Sequence, residues 1–354
     1  MAVTFVVWPA KPHLRIMKYL ATLLFSGFLL PALAQQPQFD VRSLSLPKEL
    51  EYYDNQFSGL SITGGKLFLL SESRLQDKAE AKLYTVPLAA LDRKLTDTTY
   101  VLPYQKLPLT NLARLRAKMT ALGQSYEGLE AMLVAKDAVY FSVETATPST
   151  NCYLLKGRLG PSAVVLDTTY LLTLPKPVAA DGSHIYNAGF EALTSANERL
   201  FAFFEYNSFP GQNYAYEVAG AAGRGKSQPR PVPFSPLPFR ITDMTATKSG
   251  HFTAINYFFK GEGGDAVYRT PATDVANTKL IAENGGFKNY CRLIDVELKG
   301  KAFSWKPLWE FPVSYRSYNW EGIAAYKGGY FIINDKYTPA RPYRTTLLYL
   351  QARK

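Results

Sequence analysis

Five stretches of this chain share one pattern: a turn-like pair, an apolar strand, a turn, and a second apolar strand ending in an acidic or amide residue. The copies read FSGLSITGGKLFLLSES from Phe57, YEGLEAMLVAKDAVYFSVET from Tyr126, NAGFEALTSANERLFAFFEYN from Asn187, RITDMTATKSGHFTAINYFF from Arg240 and NWEGIAAYKGGYFIINDKY from Asn319. Self-similarity over tens of residues signals repeated supersecondary units, and the spacing suits four-stranded blades. The expected fold is therefore all-β, a single β-propeller. Five blades fit best, with six as the alternative.

The 354 residues are 47% hydrophobic and 14% aromatic, enough for a large core without disulfides. Residues 1–34 stand apart. Lys18 precedes the run YLATLLFSGFLLPALA, and Ala32-Leu33-Ala34 forms a small-x-small cleavage site before Gln35, the pattern of a secretory signal peptide. Met17 is an alternative start. The expected mature domain is 35–354, periplasmic or secreted, monomeric, and without stable membrane insertion once the leader is removed.

Removal of Lys11, Arg15 and Lys18 lowers the formal charge from +11 to +8. That balance suits a small-molecule or anionic substrate. No Lys/Arg block of five or six occurs, so no nucleic-acid partner is expected. Cys152 and Cys291 fall in non-adjacent blades and are expected to be separate thiols.

Gly pairs such as Gly64-Gly65 and Gly328-Gly329 between β-rich runs mark hairpins. Third strands are expected at Lys82–Val86, Cys152–Lys156, Asn213–Val218, Cys291–Glu297 and Thr345–Leu350. Fourth strands are expected at Thr98–Tyr104, Ala163–Leu174 and Ser304–Phe311. The proline-rich stretch 229–238 obscures the fourth strand of the third blade. The last copy lacks a fourth strand before the chain ends, and Phe39–Leu46 can supply it, closing the ring with strands from both termini. The one good helix expected is Leu112–Leu122, and 260–288 reads as an insertion or a sixth blade.

Second strands end in Glu72, Glu144, Glu205, Asn256 and Asp335, and the motif starts carry Glu127, Glu130, Glu191, Asp243 and Glu321. In a propeller both positions meet at one mouth of the channel. Crowded carboxylates repel one another unless cations neutralise them, and an all-oxygen set suits Ca²⁺ or Mg²⁺ rather than Zn²⁺. A structural belt of blade-to-blade contacts, with Arg240, Arg292, Arg316 or Lys336 as counter-charges, is the competing reading. No GxSxG, Walker or HExxH pattern is present.

YEGLEAM with YFSVET, and NWEGIAAYKGGYFIINDKY, resemble the exported bacterial propeller domains called phytase-like, or "esterase-like activity of phytase". A more distant resemblance is to the calcium-binding propellers grouped as quorum-regulator-controlled proteins. The resemblance implies a propeller and a metal-assisted phosphoester or ester hydrolase. Glu127 and Glu321 match its EG glutamates and are expected to be catalytic. Glu144 and Asp335 match its strand-end acids and join Glu72, Glu205 and Asn256 as expected Ca²⁺ ligands. Arg316 and Lys336 are expected to steady a substrate anion. Ser58, Ala188 and Asp243 depart from the pattern and argue against a symmetric cage. The alternative functions are a non-catalytic extracytoplasmic binding propeller and a lactonase-like propeller holding Ca²⁺ through Glu72, Asn256 and Asp335.

Overall fold

The computed structural model describes Met1, Ala2, Thr4 and residues 38–72, 81–218, 228–261, 264–335, 338 and 340–353. The chain divides into two compact units, Met1–Gln35 and Gln36–Lys354. Nearly all of the first, including the expected leader, lies outside the described residues, as does Lys336. No described helix is long and apolar enough to cross a membrane.

The strands of the second unit, in chain order, are β1 Phe39–Leu44, β2 Phe57–Thr63, β3 Lys66–Ser71, β4 Lys82–Pro87, β5 Gln105–Thr110, β6 Tyr126–Ala135, β7 Ala138–Thr145, β8 Asn151–Leu159 and β9 Val164–Pro175. They continue as β10 Ala192–Ala196, β11 Arg199–Phe203, β12 Tyr206–Asn207, β13 Asn213–Val218, β14 Arg230–Phe234, β15 Leu237–Lys248 and β16 His251–Phe258. The last are β17 Ala282–Glu283, β18 Gly286–Phe287, β19 Tyr290–Lys299, β20 Ala302–Glu310, β21 Trp320–Tyr326, β22 Gly329–Asn334 and β23 Leu347–Ala352.

Antiparallel pairing groups them into quartets: β2-β3-β4-β5 (I), β6-β7-β8-β9 (II), β10-β11-β13-β14 (III), β15-β16-β19-β20 (IV) and β21-β22-β23-β1 (V). The leading strands β2, β6, β10, β15 and β21 touch in cyclic order, each meeting the next and β21 returning to β2. This is a β-propeller. Closure is a sheet bond between the two ends of the domain: β1 runs antiparallel to β23 from Phe39↔Ala352 to Leu44↔Leu347, with Arg353 Nε 2.7 Å from Asp40 Oδ1. A terminal strand that pairs with the far end of the chain leaves quartet V no less complete than its neighbours.

Both faces of each quartet are covered, so most of the inner strands read as near-continuous apolar runs. Phe68, Leu70 and Leu83 of quartet I pack with Leu129, Met132 and Phe141 of quartet II. Phe201 and Phe203 of III meet Ile241 and Met244 of IV, and Leu293 of IV meets Ile323 and Leu348 of V. The motif glycines serve this close approach of leading strands. A Cβ on Gly322 would stand 2.7 Å from Ile333 Cγ2 and 2.9 Å from Leu60 Cγ, so no larger side chain fits without displacement.

Several expected boundaries are corrected. The fourth strand of quartet I is Gln105–Thr110, not Thr98–Tyr104. Pro103 interrupts the earlier stretch, and the register Lys82↔Pro108 to Thr85↔Gln105 selects the later one. Leu112–Ala121 is helical as expected, but Leu88–Thr96 and Val275–Ile281 are helices too. Leu88–Thr96 starts after Pro87 and buries Ala90 and Leu91, a pattern its sequence carries. Proline does not bar Arg230–Phe234 from being a strand. It is the outermost strand of quartet III, and Pro231 and Pro233 alternate with Val232, leaving every second residue able to donate across to β13. The insertion 260–288 holds a short helical turn, Val275–Ile281 and the small β17-β18 hairpin. Cys152 and Cys291 are separate buried thiols.

Candidate functional site: an acidic cavity

At one end of the leading strands lies a cavity of about 470 Å³. Glu72, Glu130, Glu144, Glu191, Glu205, Glu321 and Asp335 line it, supplied by quartets I, II, III and V, and all seven are buried. Among the described lining residues Arg240 of quartet IV is the sole cation. Tyr257 and Tyr268 form part of the wall, and Tyr186, 73% exposed, and Phe259, 41% exposed, stand at the rim.

Local backbone irregularities aim these side chains. The β6-β7 ladder slips twice, between Tyr126 and Gly128 and again between Leu129 and Ala131, leaving Glu130 looped out of register. The corresponding glutamate of quartet III, Glu191, precedes the first paired residue of β10. One carboxylate oxygen each from Glu130, Glu144 and Glu191 lies within 4.8 Å of the other two. Gly189 makes the approach possible: a Cβ there would sit 3.2 Å from Glu144 Cβ. Gly189 N also donates to Glu205 Oε1 at 3.2 Å, which holds that side chain beside the cluster.

The electrostatics follow from burial and crowding. Burial pushes the Glu191 carboxyl well up, and Glu130, Glu205, Glu321 and Glu144 push it further. Glu321 is likewise raised by burial, then by Asp335, with Glu72 and Glu130 adding and Arg240 opposing. Arg240 Nε lies 3.7 Å from Glu205 Oε2, and its guanidinium stacks 4.4 Å from the centre of the Tyr268 ring.

The expected residues divide. Glu72, Glu144, Glu205, Asp335 and Glu321 meet in the cavity. Glu127, at the first slip of the β6-β7 ladder, does not line it and is partly exposed, whereas Glu130, at the second, does. Asn256 does not line it either. Its Nδ2 donates to the carbonyls of Pro238 and Arg240 and its Oδ1 accepts from Arg292 Nε, which makes it a strut of quartet IV. Arg316 lies off the cavity, donating to the Phe311 carbonyl and pairing with Glu310 at 3.4 Å. Asp243 is fully buried and binds main chain: its Oδ2 accepts from Leu60 N and Ile323 N, and its Oδ1 from Met244 N.

Arg240, expected from sequence as a counter-charge to the mouth acids, lines the cavity, whereas Tyr257 and Tyr268 were not expected there. Tyr257 carried a signal, since it directly follows Asn256 at the end of a second strand.

The donor set fits a hard divalent cation. Ca²⁺ takes oxygens at roughly 2.3–2.6 Å, so ligands sharing one ion lie within about 5 Å of each other, as the three glutamates do.

No protein-family model and no curated relative matches the chain. Among solved structures it is similar to an exo-1,5-α-L-arabinanase from a bovine ruminal metagenomic library, at 9% identity and a TM-score of 0.46, over 86% of this chain and 99% of that one. It is also similar to the catalytic domain of a Coprinopsis cinerea α-L-arabinofuranosidase, at 9% identity and 0.46, over 89% and 97%. An exo-inulinase from Aspergillus awamori aligns at 10% identity and 0.48, over 86% of this chain and 62% of that one. The assignment of fold rests on the chain's own strand pairing.

Proposed function

We propose that the cavity holds a divalent cation, Ca²⁺ before Mg²⁺, and that the chain is an exported hydrolase of phosphoesters or esters, of the phytase-like kind its repeats resemble. One observation carries this reading: buried carboxylates from four quartets converge on a single cavity, three with oxygens within 4.8 Å of one another. Glu130, Glu144 and Glu191 would hold the ion, which when bound supplies positive charge to polarise a phosphoryl or acyl oxygen.

The chain's own residues supply proton chemistry. Glu321, raised above the ordinary carboxylate range by burial and by Asp335, holds its proton more tightly than an exposed glutamate and is placed to give it to a leaving oxygen. Asp335 and Glu72, beside it, hold that proton in place by their negative charge. Arg240 takes the anion-steadying role expected of Arg316 and Lys336.

Titration calorimetry with CaCl₂ should show one binding event, abolished by Glu130→Gln with Glu191→Gln. p-Nitrophenyl phosphate or acetate should turn over only with Ca²⁺, and Glu321→Gln should lower kcat about a hundredfold with Ca²⁺ affinity kept. Absence of cation binding overturns the proposal. A second reading, a non-catalytic ligand-binding propeller, draws support from the exposed Tyr186 and Phe259 at the rim. It expects a Ca²⁺-induced rise in Tm with no turnover of either substrate.

A further inference from the structure

The cavity has one wall of a different chemistry. Arg240 and Tyr257 face each other across the β15-β16 ladder, and the Arg240 guanidinium lies over the Tyr268 ring, so three donor groups share one side. Both phenols are buried, and among the described residues neither hydroxyl has a hydrogen-bond partner. Glu205 lies beside the Tyr268 hydroxyl but outside hydrogen-bonding geometry. A buried hydroxyl left without a partner carries a desolvation penalty, and a pair of them on a cavity wall is what a ligand-recognising surface requires.

We infer that Tyr257, Tyr268 and Arg240 form an oxyanion-binding wall that takes a phosphoryl group. The inference rests on the cation reading of the cavity and adds its ligand. The guanidinium only donates and the two phenols have O–H groups free to donate, so the wall suits a group rich in acceptor oxygens. Seven carboxylates share the space, so an anion can enter only where a cation offsets them. A phosphoryl group meets both demands, directing some oxygens to the phenols and guanidinium and others toward the cation. Burial holds both phenols well above their ordinary range, so they stay protonated and donate. Binding of phosphate and of Ca²⁺ must then be coupled, each raising the affinity for the other.

The test is calorimetric titration of inorganic phosphate into the full chain, with dilute CaCl₂ and separately with EDTA. Phosphate should bind the Ca²⁺-loaded protein and not the EDTA-treated one. Tyr257→Phe and Tyr268→Phe should each weaken phosphate about tenfold while leaving Ca²⁺ affinity unchanged. Their Tm without phosphate should stay level or rise, because the hydroxyl removed has no hydrogen-bond partner among the described residues; a structural hydroxyl would lower it. Arg240→Lys, which keeps the charge but loses the planar fork, should also weaken phosphate. Phenylphosphonate, a non-hydrolysable mimic of a monoester, distinguishes two sources. If it binds with phosphate the wall serves esters, and if phosphate alone binds the wall serves the free ion. Ca²⁺ binding without phosphate binding, or phosphate affinity equal in the wild type and both Phe variants, overturns the wall alone. Failure to bind Ca²⁺ overturns the cation reading and the wall with it.

Discussion

Asp243 and the cavity glutamates come from equivalent parts of the repeat, yet they do opposite work. Asp243 sits where the leading strands of quartets I, IV and V meet, and three main-chain N–H groups point at its two oxygens. Burial raises its carboxyl while those donors pull it back toward the ionised form. It is a knot. Glu130, Glu144 and Glu191 instead face one another across open space, and their neighbours are largely further carboxylates. A buried acid surrounded by donors stabilises a fold, whereas buried acids surrounded by acids store repulsion that a ligand can relieve. Acids at the same end of the repeat thus brace the main chain at one point of the ring and line a cavity at another.

The sharpest way to break the comparison is to remove the knot. Asp243→Ala strands three buried N–H donors and should lower unfolding free energy by about 4 kcal/mol, read by urea denaturation. Asp243→Asn, which retains an acceptor, should lose less. If Asp243→Ala unfolds at the wild-type midpoint, the residue is no knot.

Gly322→Ala comes next. Its Cβ would intrude on Ile333 and on Leu60 of the neighbouring quartet, for a loss of about 2 kcal/mol. No change in Tm would mean the leading strands are less tightly apposed than described.

Glu191→Gln should behave in the opposite sense to Asp243→Ala. In EDTA it relieves repulsion and should raise stability by about 1 kcal/mol, while weakening Ca²⁺ about tenfold or more. A fall in Tm in EDTA would place Glu191 in the structural belt.

The smallest effect is a slope with pH. Glu191 and Glu321 bind protons more tightly in the folded chain than in the unfolded one, where the ordinary value is near 4.5. Their penalty is absent below that value and grows as pH rises through the raised folded range, so without cations Tm should drift down as pH climbs above about 4.5. Saturating Ca²⁺ should flatten the drift, because the ion takes the place of the protons. A Tm that rises with pH across that range in EDTA would contradict the crowded-acid description.

The repeats made most of the fold legible. Motif glycines, Gly-Gly hairpin turns and apolar runs located the paired strands, and the unpaired last copy pointed to β1 as its missing partner. The expected fourth strand at Thr98–Tyr104 missed because β-forming side chains cannot reveal which segment a neighbour's ladder selects. Glu72, Glu144, Glu205, Asp335 and Glu321 were legible as strand-end and motif-start acids. Glu130 and Glu191 were legible as motif-start acids too, but that Glu127 would stay off the cavity was not, since the two slips in the β6-β7 ladder leave no mark on composition. Asn256, one of the five expected ligands, is instead engaged by Arg292 and two main-chain carbonyls.

Local pattern alone determined that this chain would build repeated antiparallel hairpins and carry acids at their matching corners, because turn chemistry and apolar alternation act over a few residues. Ring closure decided which acids meet, which one is tied to the main chain, and that two phenols and an arginine face them. Those outcomes depend on bulges and on contacts between residues far apart in the chain, 183 positions for Leu60 and Asp243 and 313 for Asp40 and Arg353, and a short stretch of sequence cannot specify a neighbour that distant.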